Sequence, residues 1–216
     1  MSYSRTRSGH TSQKNEEKRL NEWFAAIEAK DAELVRGFLE EGQNINAKNS
    51  VNFPAVFIMI DTDWPEGIEL LAQYASPGDF DLPRPVGMTP LQLAILYKDV
   101  LIFETLIAAG ANVLKKENDE SLLHWAMEYH NEFLGSELSG VRKIMTTLIE
   151  QGCSVTEPNQ NGVSFVSHIS SLMEKAPSED EPQLLSLLEL ALSQENKKTL
   201  EANTPKISRP SSQKRL

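Results

Sequence analysis

The sequence predicts an all-α repeat protein, and three observations point to this fold class. Leu, Ile and Ala are plentiful while aromatic residues make up only 7% of the 216 residues, and this balance favours helices over a β-sandwich. Apolar residues recur at helical spacing in paired segments. Turn glycines and helix starts also repeat with the same drifting period. The glycines are Gly42, Gly78, Gly110 and Gly152, and the helix starts are Pro54, Pro90, Leu122 and Phe165.

The clearest unit spans residues 87–113. Thr89 is a good helix N-cap, and Pro90 suits the first helical turn because the N–H that it lacks would have no partner there. The pair Lys98-Asp99 is expected to end the first helix, and Gly110 is expected to end the second in a left-handed conformation. The sequence therefore predicts two antiparallel helices followed by a loop in about 33 residues.

The hexapeptide Thr89-Pro90-Leu91-Gln92-Leu93-Ala94 resembles the ankyrin-repeat signature T-P-L-H-x-A. This resemblance implies an ankyrin-repeat solenoid of about five helix-turn-helix units with hairpin loops. The fourth unit needs an insertion between its helices, which residues 131–140 supply, and the fifth unit is degenerate and caps the stack. The expected units span about 20–50, 51–86, 87–118, 119–160 and 161–195.

The charge is divided between an acidic body and two basic ends. The net charge is −10, but residues 20–195 hold ten basic and 28 acidic groups, which gives −18. Residues 1–19 carry +3 and residues 196–216 carry +5, and both ends are rich in small polar residues, so we predict disordered basic tails there. The acidic body should repel nucleic acid and attract a basic protein partner, unless the charge serves only solubility.

No residue pattern in the sequence indicates an enzyme, a cofactor or a metal site. His124 takes the signature histidine position of the fourth unit, where its ring is expected to bond to neighbouring backbone. Cys153, the single cysteine, is expected to be a buried structural thiol. Phosphate-binding loops, nucleophile elbows and kinase signatures are missing. One alternative stays open: a small enzyme decorated with ankyrin units, with its catalytic element in residues 156–195 and His168 as the residue to test.

Three sequence features bear on the cellular location. The longest apolar run, residues 55–60, is far shorter than the roughly 18 residues that a membrane span needs. The N-terminal end lacks the apolar core of a secretory signal, and a single cysteine suits a reducing compartment. We therefore predict a cytoplasmic protein without a membrane span. The basic C-terminal end leaves open its delivery into a host cell by a non-classical secretion system.

The resemblance also implies a contact surface on the concave side of the stack, made of the hairpin tips and the exposed flank of each first helix. Two residues before each inter-helix turn should point outward there. We call this mixture of carboxylates, tyrosines and apolar side chains the concave strip. Its predicted members are Glu28, Ile60, Asp61, Met88, Leu96, Tyr97, Asn118, Glu120, Glu128 and Tyr129. The alternative is that adjacent units bury Ile60 and Leu96. Outside the strip, Trp64 is a weaker contact candidate.

The predicted function is non-enzymatic recognition of a basic protein surface through the concave strip, by a protein that is monomeric before it binds. A fold does not identify a partner by itself. The short, divergent repeats resemble stand-alone ankyrin proteins of bacteria and their viruses. Three roles stay open: an effector acting on a host protein, an inhibitor or immunity protein that neutralises a basic toxin, and a scaffold that joins two proteins.

Overall fold

The computed structural model describes residues 6–85, 87–116, 120–129, 139–175 and 181–203. Within these ranges the chain forms ten α-helices and a short 3₁₀ turn at Asp79–Asp81. The helices are α1 (Thr6–Glu28), α2 (Ala32–Glu40), α3 (Ala55–Asp61), α4 (Pro65–Ala72), α5 (Pro90–Leu96), α6 (Val100–Ala108), α7 (Leu122–Tyr129), α8 (Ser139–Glu150), α9 (Phe165–Met173) and α10 (Glu181–Asn203). The predicted all-α class is therefore confirmed.

The helices stack in two layers. The first helix of each pair, from α1 through α3, α5 and α7 to α9, contacts the first helix of the next pair. The second helices, from α2 to α10, contact one another in the same order. Each pair therefore packs chiefly on the pairs before and after it, and this is the one-dimensional packing of a solenoid.

A left-handed residue marks the turn between the two helices of three successive pairs. Lys30, Asp63 and Lys98 have φ angles of 53°, 51° and 57°. In the first and third pairs the next residue is an aspartate, Asp31 or Asp99. Its carboxylate caps the second helix by accepting a hydrogen bond from a backbone N–H of the first turn. Positive φ is uncommon for residues with side chains. Its recurrence at one place in the pairs therefore identifies structurally equivalent positions along the stack.

Tight tips close the loops that connect successive pairs. In two tips the first residue, Asn49 or Asn159, accepts two backbone N–H bonds of its own tip through its side-chain oxygen. The fourth residue of each described tip has a positive φ angle: 68° at Asn52, 82° at Gly87 and 77° at Gly162. The tips thus repeat one backbone conformation, and this conformation fixes where each loop presents its side chains.

The core runs through the whole stack, and it includes Trp64, which was a weaker candidate for the contact surface. Trp64 is only 5% exposed. Its ring lies against Gly67 in the first turn of α4, where an added Cβ atom would come within 2.4 Å of the ring. The glycine leaves room for the indole to fold beneath the helix, so Trp64 is not available as a contact residue.

Both ends of the chain are more helical than the composition suggested. α1 begins at Thr6, inside the expected tail of residues 1–19, and α10 continues to Asn203, beyond residue 196. Packing of Trp23 anchors the C-terminal half of α1, and the strong helix formers at residues 16–20 continue the helix towards the N-terminus. In α10, Lys198 donates a 2.9 Å hydrogen bond to the carbonyl of Gly152. The start of the expected C-terminal tail therefore contacts the stack.

Candidate functional site

One position of the concave strip is shifted by a residue relative to the prediction. Two residues before the left-handed turn residue lie Glu28 in the first pair and Leu96 in the third. The second pair has Asp61 at that place, because Asp63 is its left-handed residue. The repeat alignment predicts Ile60 at that place instead. Ile60 is 3% exposed, so its side chain does not belong to the strip.

The shift arises at a proline. The prediction aligns Pro54 with Pro90, which is the first residue of α5. In the structure Pro54 is instead the N-cap of α3, the place that Thr89 takes before α5. Ile60 therefore lies on the inward face of α3. The alternative that adjacent units bury Ile60 is the correct one.

Tyr97 and Asp61 form the centre of the strip. The Tyr97 hydroxyl donates a 2.8 Å hydrogen bond to Asp61 Oδ1 and so joins the third pair to the second. The tyrosine remains 51% exposed, so a large ring faces solvent while its hydroxyl is held. The hydrogen bond to Asp61 and partial burial raise the pKa of Tyr97, and the charge of Arg84 acts in the opposite direction. The hydroxyl therefore remains a donor into more alkaline solution than an ordinary tyrosine does.

The other strip members differ in exposure. Glu28 and Glu128 are exposed, whereas Met88, Leu96 and Glu120 are half-buried. Two predicted members cannot be placed beside them: Asn118 lies outside the described residues, and so does the side chain of Tyr129, whose backbone ends α7. The described part of the strip thus presents carboxylates on both sides of the Tyr97–Asp61 pair along the stack.

Sequence reasoning missed Arg84, which stands beside the strip. Its guanidinium carbon lies 6.0 Å from the centre of the Phe53 ring, and its Nη2 atom lies 3.3 Å from the Met88 sulfur. A signal for it existed. Arg84 takes the first place of its tip, where Asn49 and Asn159 stand in theirs, so a cation replaces an amide at a position that repeats along the chain.

The histidines and the cysteine, whose residue types could indicate catalysis or metal binding, have the packed environments of structural residues. His124 and Cys153 are buried, and burial lowers the pKa of His168. Among the described residues, no group of three His, Cys, Asp or Glu side chains is arranged to hold a metal ion. Nor does any helix in the described ranges combine the length and apolar character needed to cross a membrane.

Cys153 is expected to react with iodoacetamide only when the protein unfolds. The residue is 3% exposed, and burial raises the pKa of its thiol to about 11, with Lys198 opposing the shift. Because the thiolate is the reacting form, labelling of the folded protein near about pH 8 should be on the order of a hundredfold slower than labelling in urea. Mass spectrometry of timed samples measures both rates. Equal rates would show that the thiol is accessible in the folded protein.

Comparison with known proteins agrees with this geometry. Residues 86–118 match the family model of the ankyrin repeat. The structure is similar to that of an ankyrin repeat domain from Acinetobacter baumannii AYE, with a TM-score of 0.57 and 22% sequence identity over 75% of this chain and 78% of that chain. At this identity the likeness shows a shared fold. A search of curated proteins found no match.

Proposed function

Because residues 86–118 match the ankyrin-repeat model and the chain has the fold of an ankyrin repeat domain, we propose that it is a non-enzymatic module that docks its concave strip on a basic surface of another protein. Ankyrin repeats indicate a protein–protein interaction module, and the choice of a basic partner is the specific part of the proposal. Its support comes from the arrangement of aromatic and acidic side chains on the strip and from the charge of the stack.

The observation that carries the proposal is the Tyr97–Asp61 pair. A tyrosine contributes a large contact area with few torsions to immobilise, and here the hydroxyl is already held by Asp61. Less side-chain freedom is therefore lost when a partner binds. The carboxylate retains lone pairs for a second donor. A lysine or arginine of the partner can lay its aliphatic stem on the Tyr97 ring and place its charge against Asp61.

The charge distribution supports the same class of partner. Glu28 and Glu128 are exposed on either side of the central pair, and residues 20–195 carry −18. This excess extends well beyond one strip, and it favours one of the roles over the others: neutralising a basic toxin, in which a strong acidic field speeds association. A neighbouring gene encoding a basic toxin would support this second proposal. The effector alternative relies on residues 204–216, which lie outside the described residues.

Replacing Tyr97 with alanine should weaken partner binding by about 1–3 kcal/mol while the fold remains intact. The expected loss reflects the ring, since it is 51% exposed and contributes little to the core. A pull-down at low and high salt supplies the partner, and calorimetry measures the affinity. Tyr74→Ala is the matched control, because Tyr74 is 38% exposed and lies after α4, away from the strip. Unchanged binding by Tyr97→Ala, or its unfolding, would show that the strip is not the interface.

Reversing two strip charges should mainly slow association. The double variant Glu28→Lys, Glu128→Lys removes attraction for a basic partner without touching the Tyr97–Asp61 hydrogen bond, and the defect should shrink as salt rises. Surface plasmon resonance separates the two rate constants. Glu69→Lys with Glu189→Lys changes the net charge equally at exposed positions on second helices. If the control variant slows association just as much, overall charge rather than the strip attracts the partner.

A further inference from the structure

Arg84 departs from a pattern that the chain itself sets. The backbone N–H of Arg84 bonds across its tip to the carbonyl of Met88 at 3.0 Å, just as those of Asn49 and Asn159 bond across theirs. The two asparagines use their side-chain oxygens to satisfy N–H groups of the tip. An arginine has no acceptor for that purpose. Its side chain therefore accepts none of the tip's N–H groups; it contacts the Met88 sulfur of its own tip and lies over Phe53, which closes the preceding tip.

Those surroundings are poor in oxygen. The guanidinium lies over the Phe53 ring, and among the described residues its one hydrogen-bond contact is to the Met88 sulfur at 3.3 Å, a weak acceptor. The Nε atom is shut off from solvent, and no acceptor within the described ranges reaches it. In the described part of the chain, no carboxylate oxygen forms an ion pair with Arg84. The cation is thus half-buried and held chiefly by apolar and aromatic contacts.

Other cations of the stack are placed differently. Arg19 also lies over an aromatic ring, that of Phe38 at 5.4 Å, but its Nη1 atom pairs with Glu41 at 2.8 Å. Lys30 donates to the carbonyl of Asp63 at 2.8 Å. Arg84 is stacked on an aromatic ring as Arg19 is, but it lacks the carboxylate that pairs with Arg19. The arrangement of ring, guanidinium and carboxylate is complete at Arg19 and lacks its carboxylate at Arg84.

We propose that Arg84, held against Phe53 and Met88, is a subsite for an Asp or Glu side chain of the protein partner. This subsite rests on the proposed function, because it lies beside the strip that the partner covers. The planar guanidinium matches a carboxylate with two parallel hydrogen bonds, and the apolar surroundings strengthen such a pair once water is excluded. The partner surface is then mixed: lysine or arginine faces Asp61, and a carboxylate faces Arg84.

A random peptide library displayed on phage tests both the Arg84 subsite and the proposed basic partner. Peptides selected on the wild-type protein should be enriched in Lys or Arg, and in Asp or Glu at a fixed distance from the basic residue. Selection on Arg84→Gln should lose the acidic enrichment and keep the basic one. Selection on Asp61→Asn should do the reverse. For a wild-type-selected peptide, Arg84→Gln should weaken binding roughly tenfold or more, and changing the peptide's acid to its amide should add little to that loss.

Each outcome decides one of the two proposals. Basic enrichment without acidic enrichment overturns the subsite and leaves the proposed function standing, as does acidic enrichment that persists on Arg84→Gln. Enrichment without basic residues overturns the proposed basic partner. If no peptide is selected, acetate titration decides the subsite: the Nε–H signal of Arg84 should shift in NMR spectra of the wild type, and no shift overturns it. Circular dichroism of Arg84→Gln and of the charge-preserving Arg84→Lys checks the fold.

Discussion

Replacing Leu106 with alanine is expected to lower the free energy of unfolding by about 2–5 kcal/mol. The side chain is fully buried in α6, and α6 packs on α4 and α8 in its own layer and on α5 in the other. The alanine would remove apolar contacts and leave a cavity that three neighbouring helices would have to collapse to fill. In a solenoid such a defect weakens the coupling of the central pair to both sides at once. Chemical denaturation followed by circular dichroism measures the change.

Leu101 in the same helix provides the control. It is 58% exposed, so Leu101→Ala makes the same chemical change with almost no loss of buried area. Its effect should stay within about 0.5 kcal/mol, as for most surface substitutions. If both variants unfold at the same denaturant concentration, Leu106 does not have the buried environment described for it, and the register of α6 must be different.

The regular repeat could be predicted from sequence because its signals are local. Thr89 caps α5 in a full capping box with Gln92, Lys98 takes the left-handed turn, and Gly110 follows α6 with a φ angle of 97°. Each of these depends on residues within one or two turns of the chain. A single sequence displays such signals in full, so the predicted pattern of helix, turn and second helix at residues 87–113 is confirmed.

The second pair and the chain ends were harder to predict for different reasons. The fixed φ angle of Pro54 suits an N-cap as well as a first helical turn. The local sequence therefore gives no basis for choosing the register of α3. Trp64 follows a turn, and only its packing on Gly67 shows that it is buried. At both ends, composition indicated tails, but helix continues outward from residues that are anchored in the stack, such as Trp23 and Lys198.

The candidate site could be predicted only in part. Position within a repeat identifies Tyr97 and Glu128 as exposed residues, and this follows from the signature alone. The hydrogen bond from Tyr97 to Asp61 joins residues 36 positions apart, and it depends on the one-residue register of the second pair. Arg84 was missed because its place is identified only by comparison with the tips at Asn49 and Asn159, which the structure shows to be equivalent.

His124 connects the fourth pair to the fifth and is expected to matter nearly as much as the core. Its Nε2 atom lies 2.9 Å from the carbonyl oxygen of Glu157, and its Nδ1 atom lies 3.3 Å from the Ser121 hydroxyl. A carbonyl only accepts, so Nε2 donates, and in the neutral ring Nδ1 then accepts from Ser121. The predicted bond from the ring to neighbouring backbone is confirmed. Glu157 is further held by an ion pair with Lys116, which lowers the pKa of its carboxyl group.

Replacing His124 with alanine is therefore expected to cost about 2–4 kcal/mol, since it would leave the Glu157 carbonyl and the hydrogen of the buried Ser121 hydroxyl without their partner as well as removing a side chain that is 3% exposed. His124→Gln is the matched variant, because Gln92 at the equivalent place of α5 is equally buried and bonds to the backbone of Thr89 at 2.8 Å. The glutamine side chain should bond to the backbone of Ser121, as Gln92 does to that of Thr89, but should not restore the full bond to Glu157, so this variant should lose less than half as much. Hydrogen exchange should report the loss first in residues 153–173, which this histidine attaches to the stack. Equal destabilisation by both variants, or exchange that quickens evenly along the chain, would show that His124 is a packing residue rather than the connection between the last two pairs.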